Sequence, residues 1–190
     1  RGEACGGAVL QPAGEAAAPS VLGCAVRQDG RSASLTAPNG QAQQGVLVAS
    51  LGDARLSAEH VSALEAHGTG TALGDPIEAG AVALVHQSCL DSSCLPVMSS
   101  LKASAGHTEP GAGLAGALKL LAQLGDEAMS PNVQLRILNP HVGASLQNLS
   151  DCALPTQIAS LGALRRRLGA LSSFGYAGTI SNTVICLSCC

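Results

Sequence analysis

The chain has 190 residues, of which 46% are apolar and 12% charged, and its formal net charge is −3. This length predicts one domain or a part of a larger one, and the apolar fraction excludes wholesale disorder. One Phe, one Tyr and no Trp offer no stacking platform for single strands, and the mild acidity argues against any nucleic-acid partner. No apolar run has the length of a membrane span. The first residues lack the layout of a signal peptide, so none is expected.

The cysteine content is high, with eight cysteines in the chain. Cys186 and Cys189 alone have the CxxC spacing of zinc ligands, and no second pair completes a set of four. We therefore interpret the cysteines as free thiols in a reducing compartment and expect no metal site.

Apolar stretches alternate with turn-rich stretches, and this alternation predicts strands and helices in succession. Strands are predicted at residues 8–10, 21–26, 61–66, 95–101, 168–173 and 179–187. The other predicted segments are a linker at 15–19, a loop at 28–45, a helix at about 41–51 that this loop enters, and an extended segment at 131–140. Strands that alternate with helices indicate an α/β layered fold with one sheet covered by helices.

Two further helices have recognisable start signals. Asp75 is placed to cap the first, with Pro76 at its first position and Glu78 at its third. Thr108 is placed to cap the second, and Pro110 is tolerated in its first turn. The second helix has almost no polar face, so we expect it to be buried.

Two histidines follow predicted strands. His67 lies in the Gly- and Thr-rich loop at 65–71, and His107 follows the next strand together with Lys102. Ligands bind at the carboxyl ends of strands in α/β sheets, so these three side chains are candidates for one shared site. A purely structural hydrogen-bonding role for each histidine stays open at this stage.

The glycines at 111–116 form a GxGxxG pattern, which dinucleotide-binding loops also have. They lie well after the preceding strand and inside a helix, and no acidic residue follows at the spacing that ribose binding requires. We therefore interpret them as a small-residue face for close helix packing and reject a dinucleotide-binding module.

The turn at 172–179 contains both bulky aromatic residues of the chain, Phe174 and Tyr176. It is rich in glycine and lies between the last two predicted strands. Chance placement is one interpretation. The other is that the turn presents backbone N–H groups and an aromatic gate to a substrate.

Together, these motifs resemble the C-terminal half of a β-ketoacyl synthase, and most closely the ketosynthase domain of modular type I polyketide synthases. The matching segments follow the family's order and span nearly the whole chain: residues 1–6, 29–32, 35–40, 65–71, 74–78, 102 with 106–107, 139–141 and 172–178. The resemblance implies a thiolase-like layered α/β fold, present here as its C-terminal half, with one mixed sheet covered by helices. Residues 1–15 then form the end of the N-terminal half, and 16–190 form the C-terminal half.

The resemblance also implies a reaction, the decarboxylative Claisen condensation. An acyl chain is held as a thioester on a cysteine, a malonyl-type unit loses carbon dioxide, and the resulting carbanion attacks the acyl thioester. By position, His67 and His107 match the two catalytic histidines, whose neutral N–H groups stabilise negative charge on the malonyl thioester oxygen. Lys102 matches the family's lysine, which favours a neutral histidine.

Further site residues follow from the same match. The backbone N–H of Tyr176 corresponds to a donor to the acyl oxyanion, and its ring, with Phe174, corresponds to the family's aromatic gate. Glu109 is a candidate partner of the lysine, and Thr69 and Thr71 are candidate supporting residues.

The chain departs from the family at the nucleophile. The family's cysteine lies in a Thr-Ala-Cys-Ser-Ser stretch that this chain lacks, and Cys5 lies where the family tolerates a cysteine with no chemical role. Residues 103–105 read Ala-Ser-Ala in place of Thr-Asn-Ile, and Ile180 replaces an Asn whose amide supports the active-site turn. We expect that this chain alone does not condense.

Two functional classes are therefore carried forward. The chain is either the fragment of an acyltransferase of polyketide or fatty acid biosynthesis that supplies both histidines, or a non-catalytic scaffold similar to a chain-length factor. The family implies no bound cofactor, because acyl groups arrive on the phosphopantetheine of an acyl carrier protein. The implied partners are that carrier protein, the N-terminal ketosynthase half and a second copy in a homodimer. The implied location is the cytoplasm or a plastid.

Overall fold

The computed structural model describes residues 2–12, 18–30, 37–87, 96–147, 149, 152–161 and 166–188. Most of the predicted linker, the motif residues at 31–36, and Cys89, Cys94, Cys189 and Cys190 lie outside these residues. The described part has the α/β architecture that the alternation of strands and helices predicts.

One mixed sheet of five strands organises the described residues, in the order β1-β7-β6-β2-β3. Its strands are β1 (Ser20–Gln28), β2 (Ala63–Glu65), β3 (Val97–Ser99), β6 (Arg166–Phe174) and β7 (Thr179–Ser188). Strands β4 (Ala128–Met129) and β5 (Ala159–Ser160) form a separate antiparallel pair. The sheet is antiparallel from β1 through β7 to β6 and parallel from β6 through β2 to β3.

The three parallel strands determine where functional side chains lie. Glu65 at the end of β2 pairs with Ser99 at the end of β3 and with Leu171 near the end of β6. Because parallel strands share a direction, their carboxyl ends meet at one edge of the sheet. The loops after β2 and β3 and the turn after β6 therefore emerge side by side.

Helices cover both faces of the sheet, and successive strand residues show it. Leu64 belongs to a core cluster with helices α1 (Gly40–Ala54) and α2 (Gly74–His86), whereas Ala63 belongs to a second cluster with α4 (Ala112–Gly125). Adjacent residues of a strand point to opposite faces, so α4 lies on the face opposite to α1 and α2. Helix α5 (Pro140–Leu146) packs against α2.

The glycines of α4 allow close packing, as expected from the small-residue interpretation of the GxGxxG pattern. A Cβ at Gly116 would lie 3.1 Å from Leu171 Cδ1, and one at Gly113 would lie 3.0 Å from Ser173 Oγ. The prediction that the whole helix is buried is wrong, however. Leu118 on α4 remains 42% exposed, because the described chain covers that side of the helix incompletely.

Several local predictions are also wrong. Residues 8–10 form no strand, and Val9 is 96% exposed, because no neighbouring strand pairs with them in the described part of the chain. Asp75 lies inside α2 and accepts a hydrogen bond from the N–H of Gly70, so it does not cap the helix. Thr108 makes no capping hydrogen bond, because a 3₁₀ turn at Glu109–Gly111 precedes α4.

Three features of the fold bear on possible partners. Among the described residues, no helix has the length and hydropathy to cross a membrane. The same part of the chain contains no group of three or more His, Cys, Asp or Glu side chains placed to hold a metal ion. Among the described cysteines, Cys5, Cys24 and Cys152 have free thiols.

Replacement of Gly23 by alanine tests the contact between β1 and α1. A Cβ at Gly23 would lie 2.3 Å from the carbonyl oxygen of Ser50 and 2.4 Å from the backbone nitrogen of Ala54. Because both atoms belong to the backbone, we expect Gly23→Ala to lower the free energy of unfolding by about 1–3 kcal/mol or more. Urea unfolding followed by circular dichroism measures the change.

The matched control is Gly52→Ala on α1, where no described atom outside its own helix lies within 4 Å of the added Cβ. This control is expected to raise the free energy of unfolding by about 0.5–1 kcal/mol, since alanine favours the helix. Equal effects of the two substitutions would contradict the close approach of β1 and α1.

Candidate active site

Three strand ends bring the predicted site residues together. His67 follows β2 by two residues, Phe174 ends β6, and His107 comes shortly after β3 and the short helix α3 (Lys102–Ala105). The ring centroids of His67 and His107 lie 5.9 Å apart, with the rings nearly perpendicular. The rings of His67 and Phe174 lie 5.2 Å apart.

The contacts of His67 specify its tautomer. The backbone N–H of Phe174 donates to Nδ1 of His67 at 3.3 Å. The ammonium of Lys102, which has donors and no acceptor, lies 3.5 Å from the same nitrogen and also donates to the carbonyl oxygen of His67. Nδ1 is therefore an acceptor, and the ring carries its proton on Nε2.

His107 reaches the same tautomer through a local turn. Its Nδ1 accepts a hydrogen bond from the backbone N–H of Glu109 at 2.9 Å, which leaves the proton on Nε2. Glu109 has φ +51, a left-handed conformation that is costly for a residue with a Cβ. Glu109 thus supports the candidate site through its backbone.

The electrostatic environment keeps both imidazoles neutral. Burial, the Lys102 charge and the neighbouring His107 lower the pKa of His67 to about 3. Burial and the Lys102 charge also lower the pKa of His107. At neutral pH the site therefore presents two uncharged imidazoles, each with an Nε2–H donor.

Carboxylates counterbalance the half-buried ammonium of Lys102. Burial lowers the pKa of Lys102, while the charges of Glu78, Glu65 and Asp75 raise it. Glu78 is 5% exposed, and its two oxygens accept the backbone N–H groups of His67 at 2.7 Å and Gly68 at 2.9 Å. Burial raises the pKa of Glu78 to about 7.

Sequence reasoning missed this role of Glu78, which it treated as a helix-start residue. The signal was its spacing, since Glu78 on α2 lies 11 residues after His67 and its carboxylate accepts the N–H of His67. The same carboxylate therefore connects α2 with the histidine loop.

The loop after His67 is tightly folded. Gly68 has φ +47, and a Cβ there would lie 2.7 Å from Ser100 Cβ. The hydroxyls of Thr69 and Thr71 lie 3.2 Å apart, and that of Thr71 accepts the N–H of Gly74 at the start of α2. Both threonines thus shape the loop.

The aromatic residues of the last turn have different surroundings. Phe174 contacts His67, whereas the side chain of Tyr176 is 87% exposed. The departure at Ile180 is partly offset nearby. Asn182, two residues further along β7, donates to the carbonyl oxygen of Leu171 and the hydroxyl of Ser172, so a buried amide still holds β6 before the turn.

A cavity of about 590 Å³ adjoins the candidate site. Gly68, Thr69, Lys102 and His107 line one side of it, and the segment at 132–135 lines another. Its volume lies within the range of small-molecule sites. The arrangement as a whole can stabilise negative charge on a substrate oxygen with neutral donors, in the manner of an oxyanion hole.

Solved structures with this architecture define the class of protein. The ketosynthase from module 6 of the Bacillus subtilis bacillaene synthase superposes with a TM-score of 0.82 and 29% identity, over 90% of this chain and 30% of the other. An oxazolomycin ketosynthase domain from Streptomyces albus gives a TM-score of 0.80 at 29% identity, over 89% and 30% of the two chains. The fold is that of the thiolase-like ketosynthases.

Sequence comparisons narrow the class to a family. Residues 19–136 match the model of the β-ketoacyl synthase C-terminal domain. The chain is 40% identical to the mycoketide-CoA synthase of Mycobacterium tuberculosis over 87% of its own length and 4% of the relative. It is 42% identical to the spectinabilin polyketide synthase system protein NorA' of Streptomyces orinoci, again over 87% of its own length and 4% of the relative. The chain belongs to the β-ketoacyl synthase family and corresponds to the C-terminal half of a ketosynthase domain.

The tautomer and charge of His67 can be tested directly. Imidazole ¹⁵N NMR of the chain is expected to show a neutral Nε2–H ring at His67 down to about pH 4, because burial and Lys102 oppose protonation. His67→Gln identifies the signal. Protonation of His67 above about pH 5 would contradict the described environment.

The same shift predicts how stability depends on pH. In the unfolded chain His67 binds a proton near its ordinary pKa of 6.5, but in the folded chain only near 3. Protonation therefore favours unfolding. Relative to His67→Gln, the free energy of unfolding of the wild type is expected to fall as the pH falls from 6.5 toward 3. A difference that does not depend on pH would refute this linkage.

Two glycine substitutions separate close packing from backbone strain in the histidine loop. Gly68 and Gly70 both have positive φ, but a Cβ at Gly70 has no neighbour within 4 Å among the residues that the structure describes. Each alanine variant is expected to lose about 1–2 kcal/mol through its conformation, and Gly68→Ala about 1–3 kcal/mol more through the clash with Ser100. Urea unfolding of both variants measures this difference, and equal losses would contradict it.

Proposed function

We propose that this chain supplies the decarboxylating half of a ketosynthase active site in polyketide biosynthesis. The observation that carries the proposal is the pair of neutral Nε2–H imidazoles at His67 and His107, with ring centroids 5.9 Å apart. Neutral donors suit an oxygen that becomes negative during the reaction. The relatives support the pathway, since NorA' of Streptomyces orinoci belongs to a polyketide synthase system.

In the proposed reaction, His67 and His107 donate to the carbonyl oxygen of a malonyl-type thioester. The bond between the α-carbon and the carboxylate breaks, carbon dioxide leaves, and the electron pair moves onto the thioester oxygen as an enolate. The enolate α-carbon then attacks an acyl thioester on a cysteine. The new carbon–carbon bond forms and the carbon–sulfur bond breaks, which returns the cysteine as a thiolate.

Other residues have supporting roles in the proposal. Lys102 holds His67 by its carbonyl oxygen and keeps the imidazoles neutral. The backbone N–H of Tyr176 donates to the acyl oxyanion, and Phe174 limits access beside His67. Thr69 and Thr71 shape the loop against which the thioester lies.

The proposal requires partners. The nucleophilic cysteine comes from an N-terminal ketosynthase half, and the segment at 2–12 is the end of that half. This segment already contacts the site and α4, since the N–H of Gly2 donates to the carbonyl oxygen of His107 and Gly6 lies against Leu114 and Leu118. The acyl groups arrive on the phosphopantetheine of an acyl carrier protein, and the complete domain is a homodimer.

The test joins this chain to an N-terminal ketosynthase half that contains the cysteine, and measures carbon dioxide release from a malonyl thioester on acyl carrier protein. We expect release by the joined enzyme and a fall in kcat of about 10²–10³-fold in His67→Ala and in His107→Ala, since each variant removes one oxyanion donor. His60→Ala, an exposed histidine outside the site, is the matched control and is expected to retain activity.

A folded joined protein that releases no carbon dioxide would overturn the proposal. If it still bound the carrier protein, the non-catalytic scaffold similar to a chain-length factor would be the better assignment. Carbon dioxide release by a variant that lacks both histidines would also exclude the proposed roles of His67 and His107.

A further inference from the structure

A buried ion pair lies behind the candidate histidines. Glu65, the last residue of β2, is 3% exposed, and its Oε2 lies 2.6 Å from Nζ of Lys119 on α4. The side chain of Lys119 is 10% exposed. The same ammonium donates to the hydroxyl of Ser99 at the end of β3, at 2.7 Å. One pair therefore connects the ends of two strands with the helix that covers them.

Helix α4 is built to receive the carboxylate. Gly116 and Lys119 are three residues apart, so they lie on the same face of the helix. A Cβ at Gly116 would lie 3.3 Å from Glu65 Cγ, closer than most side-chain contacts. Gly116 thus leaves space for the Glu65 side chain, and Lys119 supplies the opposite charge one turn later.

The second oxygen of Glu65 faces the other strand-end loop. Oε1 accepts the backbone N–H of Leu101 at 2.6 Å, and the next residue is Lys102. The Lys102 ammonium donates to the carbonyl oxygen of His67 and lies 3.5 Å from its Nδ1. Since His67 follows Glu65 by two residues, the loop after β2 and the loop after β3 are joined at two points: Glu65 binds Leu101, and Lys102 binds His67.

Stability alone does not account for such a pair. A buried ion pair can often be replaced by apolar residues of similar size with no loss of stability, because desolvation offsets the attraction between the charges. A carboxylate also provides a fixed acceptor for the Leu101 N–H, which an apolar side chain does not. We propose that Glu65, held by Lys119, is a positioning residue that sets Lys102 against His67. The inference rests on the proposed function, since it concerns the same site.

Two double variants isolate the acceptor oxygen. Glu65→Met with Lys119→Met removes both charges and the acceptor at similar side-chain volume. Glu65→Gln with Lys119→Met also removes both charges but keeps an amide oxygen for the Leu101 N–H. A third variant, Leu101→Pro, keeps both charged residues but removes the donor, and its Cδ displaces Oε1 of Glu65 from the Leu101 nitrogen. Proline suits this position, because Leu101 has φ −56.

The first readout is the pKa of His67, measured by NMR titration of the 190-residue chain. The groups that act on this imidazole are Lys102 from α3, His107 from the following loop and the N–H of Phe174 from β6, while Glu78 from α2 holds its backbone. Movement of Lys102 away from His67 would raise the pKa, so we expect a rise of about one unit in the double-methionine and proline variants. The glutamine variant is expected to match the wild type.

An unchanged His67 pKa in the folded double-methionine and proline variants would overturn the proposal. A glutamine variant that behaves like the double-methionine variant would overturn it as well, because the acceptor oxygen would then be irrelevant. Loss of folding in either of the first two variants would also count against it, since the contact would then serve the fold rather than the site.

The second readout is decarboxylation by the joined enzyme. We expect kcat to fall about ten-fold or more in the double-methionine and proline variants with little change in KM, and to recover in the glutamine variant, because misplaced catalytic groups slow the chemical step. An inactive wild-type joined enzyme would refute the proposed function, while the titration would still decide the positioning role. Active variants with unchanged kcat would refute the positioning role alone.

Discussion

The parallel register of β3, β2 and β6 is the constraint on which the candidate site depends. Glu65 lies opposite both Ser99 and Leu171, so the loops after β2 and β3 begin at the same height, and the turn after β6 begins close by. A shift of one residue would turn the side chains of β2 to the other face of the sheet. His67 and His107 are separated by forty positions in the chain, yet this register brings their rings within 5.9 Å.

Much of the fold was predictable because its elements are marked locally. The apolar runs that became β1, β6 and β7, and the helical patterns of α1, α2 and α4, were recognised close to their observed positions. The failures have a common cause. A strand at residues 8–10 would need a neighbouring strand, and the local sequence does not specify one. The short helices α3 and α5 are stabilised mainly by tertiary contacts, so their local sequence does not predict them. The capping predictions failed because Asp75 lies inside α2 and accepts a hydrogen bond from the loop, and because a 3₁₀ turn separates Thr108 from α4.

The sequence predicts the central residues of the candidate site but not the contacts that hold them in place. The resemblance to ketosynthases indicated His67, His107 and Lys102 by motif alone. The residues that hold them do so over long distances along the chain: Lys119 reaches Glu65 across 54 positions, and the N–H of Phe174 reaches His67 across 107. Such contacts depend on the register of the sheet and on how α4 packs against it. Neither can be predicted from the local spacing of residues in the sequence.

The charges near the site explain why both histidines are neutral: three carboxylates act on Lys102, and Lys102 acts on the two imidazoles. Glu78, Glu65 and Asp75 raise the pKa of Lys102 against the effect of burial and so favour its charged form. The Lys102 charge in turn lowers the pKa of both imidazoles and favours their neutral form. A neutral Nε2–H donor gains most when its acceptor becomes negative, whereas an imidazolium would already attract any anionic group before reaction. These three acids therefore serve the histidines indirectly, since they favour the positive charge on Lys102 that helps to keep both rings uncharged.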